Sequence, residues 1–405
     1  MDSDRDRPDQ GERLARLALY LGLNCNSSAF HRVMRHVGSA DAAFGQDLRV
    51  MGVNLTPLLT GGLFEDACGR LEYAESHGLD IVIWGDDHYP VRLDEIADPP
   101  PVLWVKGRLE PTDQFSVALV GSREASSNGL SLSRRLAREG ALKGLTIVSG
   151  LAKGVDAQAH RGALEAGGRT LAVLGCGLDW VYPKENARLY EEIAAQGALI
   201  SEYTPETRPL PINFPRRNRI IAGLSLAVVV TEARERSGAL ITARLALEMN
   251  REVMALPGPV GLDSAKGANK LIKSGAALVE SMDEVLAEIK PRLLEGLRAA
   301  NRPEIIFPEL PAETEAKPEP APVPKDRQPP KLKPVASAPS PPLPPEPEPD
   351  TPEGKVTAAL RRSPQDTDSL VRTTGIGAAE MAGLLLTLEL TGRIVRLTSG
   401  QFELQ

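Results

Sequence analysis

The chain has 405 residues, 42% apolar and 25% charged, enough for two or three domains with cores of their own, and a formal charge of −7 at pH 7. No run approaches the roughly 18 uncharged apolar residues that span a bilayer, and the start Met1-Asp-Ser-Asp-Arg-Asp-Arg is charged where a signal peptide is apolar, so a cytoplasmic protein without a membrane partner is expected. Cys25, Cys68 and Cys176 are odd in number and scattered, and the five histidines lack metal spacing, so neither a disulfide framework nor a metal or cofactor is expected.

Residues 11–77 carry helical periodicity in Leu14–Leu21, Ala29–Val37 and Phe64–His77, which predicts a small all-helical domain of SAM or helix-hairpin type. Residues 78–112, with Ile81–Trp84 and Val102–Val105, bridge from it into the next domain. From 113 to 290, short apolar runs at Ser116–Val120, Thr146–Val148, Thr170–Leu174, Ala198–Ile200, Leu226–Val230 and Glu252–Ala255 alternate with amphipathic stretches. Strands buried on both faces imply a parallel sheet covered by helices, an α/β extended Rossmann-like doubly wound domain over 78–290 with its core at 113–290. Residues 301–351 contain about half of the chain's 34 prolines and read as a semi-rigid linker. Residues 352–405 give three helices and two short strands, Ile394–Leu397 and Gln401–Leu404, the order of a winged helix. Its candidate recognition helix, about Ala378 to Leu390, holds Glu380 and Glu389 and no Lys or Arg, which favours protein contact or packing over phosphate binding.

The acidity belongs to the flanks: Lys+Arg against Asp+Glu is 11 to 18 over residues 1–112, 22 to 20 over 113–290 and 14 to 16 in the remainder. Between Thr207 and Thr231 there is no acidic residue, while Arg208, Arg216, Arg217 and Arg219 are present, and local field rather than total charge governs binding. Ligands of an open parallel sheet sit beyond the carboxyl ends of its strands, so the loops there carry the chemistry. Gly121-Ser122-Arg123 after the first strand combines a glycine turn, a helix start and a forked cation, an anion cradle. Ser149-Gly150-Leu-Ala-Lys153-Gly154-Val-Asp156 and Gly175-Cys-Gly177-Leu-Asp179-Trp180-Val-Tyr182-Pro183-Lys184 repeat small residues and a cation. Asn213-Phe214-Pro215-Arg216-Arg217-Asn218-Arg219 opens a helix with three arginines and a ring, which suits the phosphates and bases of a single strand. Ser237-Gly238 opens a further helix on the same rim.

Other residues carry plainer readings. Asp156 and Glu232 lack a paired nucleophile or metal ligands and are read as orienting loop backbone or arginines, His160 as packed rather than catalytic, and Cys176 as no nucleophile, having no adjacent histidine. No catalytic residue is assigned.

Taken in order, Val120-Gly-Ser-Arg123, Ser149-Gly-Leu-Ala-Lys-Gly-Val-Asp156-Ala, Gly175-Cys-Gly-Leu-Asp179 with Tyr182-Pro183, Ile200-Ser-Glu202, Phe214-Pro-Arg-Arg-Asn-Arg-Ile-Ile-Ala-Gly-Leu-Ser225 and Glu232-Ala with Ser237-Gly238 and Thr242-Ala resemble the signature of the DNA-processing protein A (DprA/Smf) family. Ala255-Leu-Pro-Gly258 and Gly267-Ala-Asn269 extend the likeness. The resemblance implies an extended Rossmann fold that binds single-stranded DNA without sequence preference, forms homodimers, and loads RecA recombinase during natural transformation, with no enzymatic turnover. It implies DNA contacts at Gly121, Ser122, Arg123, Lys184, Phe214, Arg216, Arg217, Asn218, Arg219, Ser237 and Gly238. Where many relatives carry a Gly-Val-Gly hairpin, this chain reads Leu21-Gly-Leu-Asn-Cys-Asn-Ser-Ser28, which argues against DNA contact by the helical domain.

Two enzyme readings compete. A nicotinamide-dependent enzyme shares the fold, but Gly121-Ser-Arg-Glu-Ala lacks the Gly-x-Gly-x-x-Gly fingerprint and the second strand ends in Ser149-Gly150 where an acidic ribose ligand would stand. A phosphoribohydrolase-like enzyme shares the glycine-rich phosphate loops, but its Pro-Gly-Gly-x-Gly-Thr run is absent and three clustered arginines exceed what one phosphate needs.

Overall fold

The computed structural model describes residues 8–44, 49–50, 53–54, 62–299, 351–361, 363–390, 393–397 and 401–404. They fall into two compact units, one within residues 1–307 and one within 308–405. The predicted linker lies outside the described residues, save Thr351.

The first unit begins with α1 (Gln10–Gly22) and α2 (Ser27–Val37), started by the side chains of Asp9 and Asn26, which accept from the amides of Glu12 and Ala29. A two-residue antiparallel pair, β1 (Arg49–Val50) and β2 (Val53–Asn54), precedes α3 (Leu63–Ser76). The three expected helices are present, and this short pair is an addition to the all-helical reading. Buried Tyr20 donates to the Glu202 carbonyl (3.3 Å), tying α1 to the sheet.

The sheet is built from β3 (Leu79–Ile83), α4 (Val91–Asp94), β4 (Val102–Gly107), β5 (Ser116–Val120), α5 (Ser127–Leu142), β6 (Thr146–Ser149), α6 (Val155–Glu165), β7 (Thr170–Val173), α7 (Ala187–Gln196) and β8 (Ala198–Ser201). It continues through α8 (Asn213–Leu224), β9 (Ala227–Val230), α9 (Gly238–Glu248), β10 (Glu252–Ala255), α10 (Asp263–Lys273), β11 (Ala277–Leu278) and α11 (Met282–Ala299). Its nine strands run β11-β10-β9-β5-β6-β7-β8-β4-β3. All pairings from β11 to β8 are parallel; β4 pairs antiparallel with β8 and with β3. Residues 78–112 are therefore an antiparallel extension of the sheet rather than a bridge into it.

Alternation along β5 shows how the layers divide. Ala118 and Val120 face one core with Ile220, Ile221 and Leu224 of α8 and Ala239, Ala243 and Ala246 of α9. Val117 and Leu119 face the other, with Leu136 and Ala137 of α5, Ala159 and Ala163 of α6, and Met282, Val285 and Ile289 of α11. Helices on both faces explain why the strands read as continuous apolar runs.

The second unit contains α12 (Pro352–Leu360), α13 (Thr367–Thr374), α14 (Ala378–Leu390), β12 (Ile394–Arg396) and β13 (Phe402–Leu404), the two strands antiparallel. Val356, Leu370, Met381, Leu385, Ile394 and Phe402 form its core, and the order is that of the expected winged helix.

Candidate nucleic-acid interface

β5 and β9 are neighbours, but the chain spreads from them in opposite directions, with β6, β7 and β8 on one side of β5 and β10 and β11 beyond β9. Such a reversal opens a crevice at the carboxyl ends of the strands. A cavity of about 410 Å³ occupies it, lined by Gly121, Ser122 and Arg123 after β5, Ala152 and Asp156 after β6, Phe214, Arg217, Asn218 and Ile221 of α8, and Arg234, Arg236, Ser237 and Gly238 after β9.

The loops hold one another. The Ser122 amide donates to the Glu232 carbonyl (2.7 Å), and the Ser122 carbonyl accepts from Val155 (3.1 Å). Gly154 packs against that carbonyl at φ +78°, where a Cβ would overlap it. The buried Glu232 carboxylate accepts from the Ser126 amide (2.9 Å) and the Ser126 hydroxyl (2.5 Å), and Ser126 Oγ accepts from Gly129 (3.0 Å) to cap α5. Glu232 is thus engaged in fixing the start of α5 and the floor of the Ser122 loop. Ser237 caps α9, accepting from Ala239 (3.3 Å), and Ser237, Gly238 and Ala239 line the cavity, so the amide end of α9 opens at the crevice.

On α8, positions 214, 217, 218 and 221 follow the i, i+3, i+4, i+7 spacing of one helix face, and that face lines the cavity. The Phe214 ring lies 5.5 Å from the Arg123 guanidinium, 6.0 Å from that of Arg217 and 5.4 Å from the Tyr182 ring, tilted 45° to it. Its seat exists because position 175 is glycine: a Cβ there would come within 2.8 Å of the ring. Arg217 is buried; Nη1 donates to the Gly150 carbonyl (2.9 Å) and Nε to Asn218 Oδ1 (3.3 Å). Burial pushes the Arg217 guanidinium down to about 10 although Asp156 opposes the shift, so it is charged at neutral pH. Burial likewise pushes Asp156 up against the pull of Arg217.

Four arginines, Arg123, Arg217, Arg234 and Arg236, face two carboxylates, Glu124 and Asp156, along the lining. Glu124 pairs with Arg234 (3.3 Å), while exposed Arg123 and Arg236 make no ion pair among the described residues. The cavity is therefore a cationic, partly aromatic crevice in a chain of net negative charge.

Of the eleven expected contacts, Gly121, Ser122, Arg123, Phe214, Arg217, Asn218, Ser237 and Gly238 line this one cavity. Arg216 is exposed on the first turns of α8, and Lys184 is exposed on the loop after β7; neither belongs to the lining. Arg219 is turned away, because two residues beyond Arg217 is about 200° around a helix. It pairs instead with Glu202 (2.6 Å) and Asp98 (3.4 Å); burial opposes its charge, and the two carboxylates outweigh burial and hold its pKa above the ordinary value. Arg236 and Tyr182 went unassigned in the sequence. The signal for Arg236 was Arg234-Glu-Arg236 directly before the Ser237 cap.

The remaining candidates are packed. His160 Nε2 accepts from the Leu151 amide (3.3 Å), leaving Nδ1–H for Thr170 Oγ1 (2.7 Å), which donates to the Ile147 carbonyl (2.7 Å). Burial, with Arg217 and Arg161 adding to it, pushes His160 down to about 3. Burial pushes the Cys176 thiol up to about 11.

The family described as DNA recombination-mediator protein A matches residues 80–290, and that described as the DprA winged helix domain matches residues 339–400. Protein Smf of Synechocystis is 38% identical over 319 residues, 76% of each chain. The X-ray structure of DNA processing protein A from Streptococcus pneumoniae superposes with a TM-score of 0.57 at 37% identity, covering 68% of this chain and 97% of that one. DNA processing protein A from Helicobacter pylori, solved for its single-stranded DNA binding mode, gives a TM-score of 0.48 at 30% identity over 54% of this chain and 96% of that one.

Proposed function

The chain belongs to the DNA recombination-mediator protein A family, and we propose that it binds single-stranded DNA at the β5/β9 crevice without sequence preference and presents that DNA to a recombinase. The observation that carries the reading is Phe214, set against Arg123, Arg217 and Tyr182 at the mouth of a cationic cavity. Arginines neutralise the phosphates of any sequence, and a ring stacks on any base once that base is free of a duplex. Paired bases have their faces covered by their neighbours, so the ring gives no gain with double-stranded DNA unless the duplex is opened.

In this reading Arg123, Arg216, Arg234 and Arg236 grip phosphates, the amide end of α9 takes further phosphate oxygens, and Arg217 works from below. Its hydrogen bond to Gly150 and its place beside Phe214 set the ring and hold positive charge under it. Glu232 and Asp156 position backbone and arginine rather than transfer protons, and the protein turns nothing over. RecA as the recombinase, work as a homodimer in the cytosol and a role in natural transformation complete the proposal as what family membership implies.

The test is a comparison of oligo-dT with the matching duplex in a binding titration, run beside an assay for base release from nucleoside monophosphates. The proposal expects preference for the single strand and no released base. Release of base with no single-strand preference would replace it with the phosphoribohydrolase reading.

A further inference from the structure

Two exposed rings stand outside the cavity, Trp180 and Tyr182, 37% and 43% exposed on the loop after β7. Their surroundings are built. The Trp180 indole N–H donates to the Glu206 carbonyl (2.9 Å), and the Arg208 guanidinium lies 5.7 Å from the centre of a Trp180 ring. The loop beneath is held by Gly177 donating to Thr207 (2.8 Å), Asp179 donating to Pro205 (3.1 Å) and the buried Tyr190 hydroxyl donating to Leu178 (2.6 Å). Nearby carboxylates are occupied: Asp179 accepts from the Tyr73 hydroxyl (2.9 Å) and Glu206 pairs with Arg70 (2.7 Å).

Two segments thus run side by side, 180–182 and 208–214. They are tied at one end by Arg208 over Trp180 and at the other by Tyr182 against Phe214. Trp180 and Tyr182 are two residues apart, so their Cα atoms are separated by no more than about 7 Å, close to the step between successive nucleotides of an extended strand. Tyr182 packs against Phe214 of the cavity lining, Trp180 stands two residues before it on the same loop with exposed Arg208 beside its ring, and exposed Lys184 stands two residues after it.

We infer that Trp180 and Arg208 form a second stacking and phosphate subsite, which takes the nucleotides of a single strand leaving the cavity past Phe214 and Tyr182. The inference rests on the reading of the cavity as a single-strand site and adds a direction to it, toward the loop after β7. A cation laid on one part of an indole that is fixed by its own hydrogen bond leaves the exposed surface pre-ordered for a base, so little ordering remains to be done on binding.

The tryptophans allow a direct readout. Trp104 is fully buried and Trp84 is packed beside His31 and Arg16, which leaves Trp180 as the exposed one. Intrinsic fluorescence of the wild-type full chain is titrated with oligo-dT, and the affinities of wild type, Trp180→Ala and Trp180→Phe are read from the anisotropy of end-labelled oligo-dT of increasing length. The expected result is saturable quenching in wild type and an affinity gain of about tenfold once the oligonucleotide is long enough to pass the cavity. Trp180→Ala binds the shortest oligonucleotides as wild type does and loses that gain; Trp180→Phe, which cannot donate to Glu206 but can stack, keeps most of it. An unchanged gain in Trp180→Ala, or unquenched wild type at saturation, overturns the inference while leaving the cavity reading intact. Wild type that binds no oligonucleotide of any length overturns both.

Discussion

α8 carries two kinds of arginine, one exposed and one buried in the cavity lining, and they have different consequences when removed. Arg216 is exposed, so Arg216→Ala lowers single-strand affinity and leaves thermal stability unchanged. Arg217 is buried, and its removal unsatisfies the Gly150 carbonyl and leaves the Asp156 carboxylate without its cation. Arg217→Ala therefore costs on the order of 3 kcal/mol of stability as well as affinity, seen as a lower urea midpoint in the absence of DNA. Gly238 offers a complementary test: a Cβ there meets no atom within 4 Å, so Gly238→Ala folds normally, and its methyl group obstructs only a bound backbone. Loss of affinity at unchanged stability is expected, and unchanged affinity would remove the start of α9 from the binding surface. His160 gives an acid signature. Its pKa is 6.5 when unfolded and about 3 in the fold, so the stability it permits is complete above pH 6.5 and is lost as pH falls from 6.5 toward 3. The slope from this residue approaches about 1.4 kcal/mol per pH unit only well below pH 6.5, so urea curves at pH 7 and 5.5 should differ by about 1 kcal/mol more in wild type than in His160→Gln. The residues of the site were legible in the sequence where glycine, cation and helix start coincide, as at Gly121-Ser122-Arg123. Arg219 misled because composition places it with Arg216 and Arg217 and only helical phase separates them.

At the scale of elements, the start of α5 is held by a carboxylate from another strand's loop. Glu232→Gln keeps the shape and loses charge-assisted bonds to both the amide and the hydroxyl of Ser126, so it lowers stability by about 1–2 kcal/mol and loosens the Ser122 loop. Hydrogen exchange at the amides of residues 122–129 should rise first; exchange that rises only in a distant element would contradict the clamp. The parallel strands were legible because burial on both faces writes itself as uninterrupted Val, Ile, Leu and Ala, and β5 and β10 fall at the expected residues. β3 and β4 were harder to assign. Their apolar runs were visible, but nothing local distinguishes a strand that bridges two domains from one that pairs antiparallel with β8, since that choice depends on residues about a hundred positions away. The two-residue β11 is too short to leave a pattern.

The whole molecule separates charge by region: an acidic helical start, a cationic crevice in a near-neutral sheet unit, and a winged-helix unit whose α14 contains Glu380 and Glu389 without Lys or Arg. Removing residues 300–405 should therefore leave oligo-dT affinity and its salt dependence as they are, which a titration of the shortened chain checks. Phosphate binding at the crevice arginines underlies each of these affinity effects. The measurement that tests it most directly is oligo-dT affinity as a function of salt, for wild type and for Arg123→Ala and Arg236→Ala. Log K should fall linearly with log salt, with each substitution removing about 0.7 from the slope, one phosphate's worth. Slopes identical to wild type in both variants, at undiminished affinity, would place the DNA elsewhere on the molecule and contradict it.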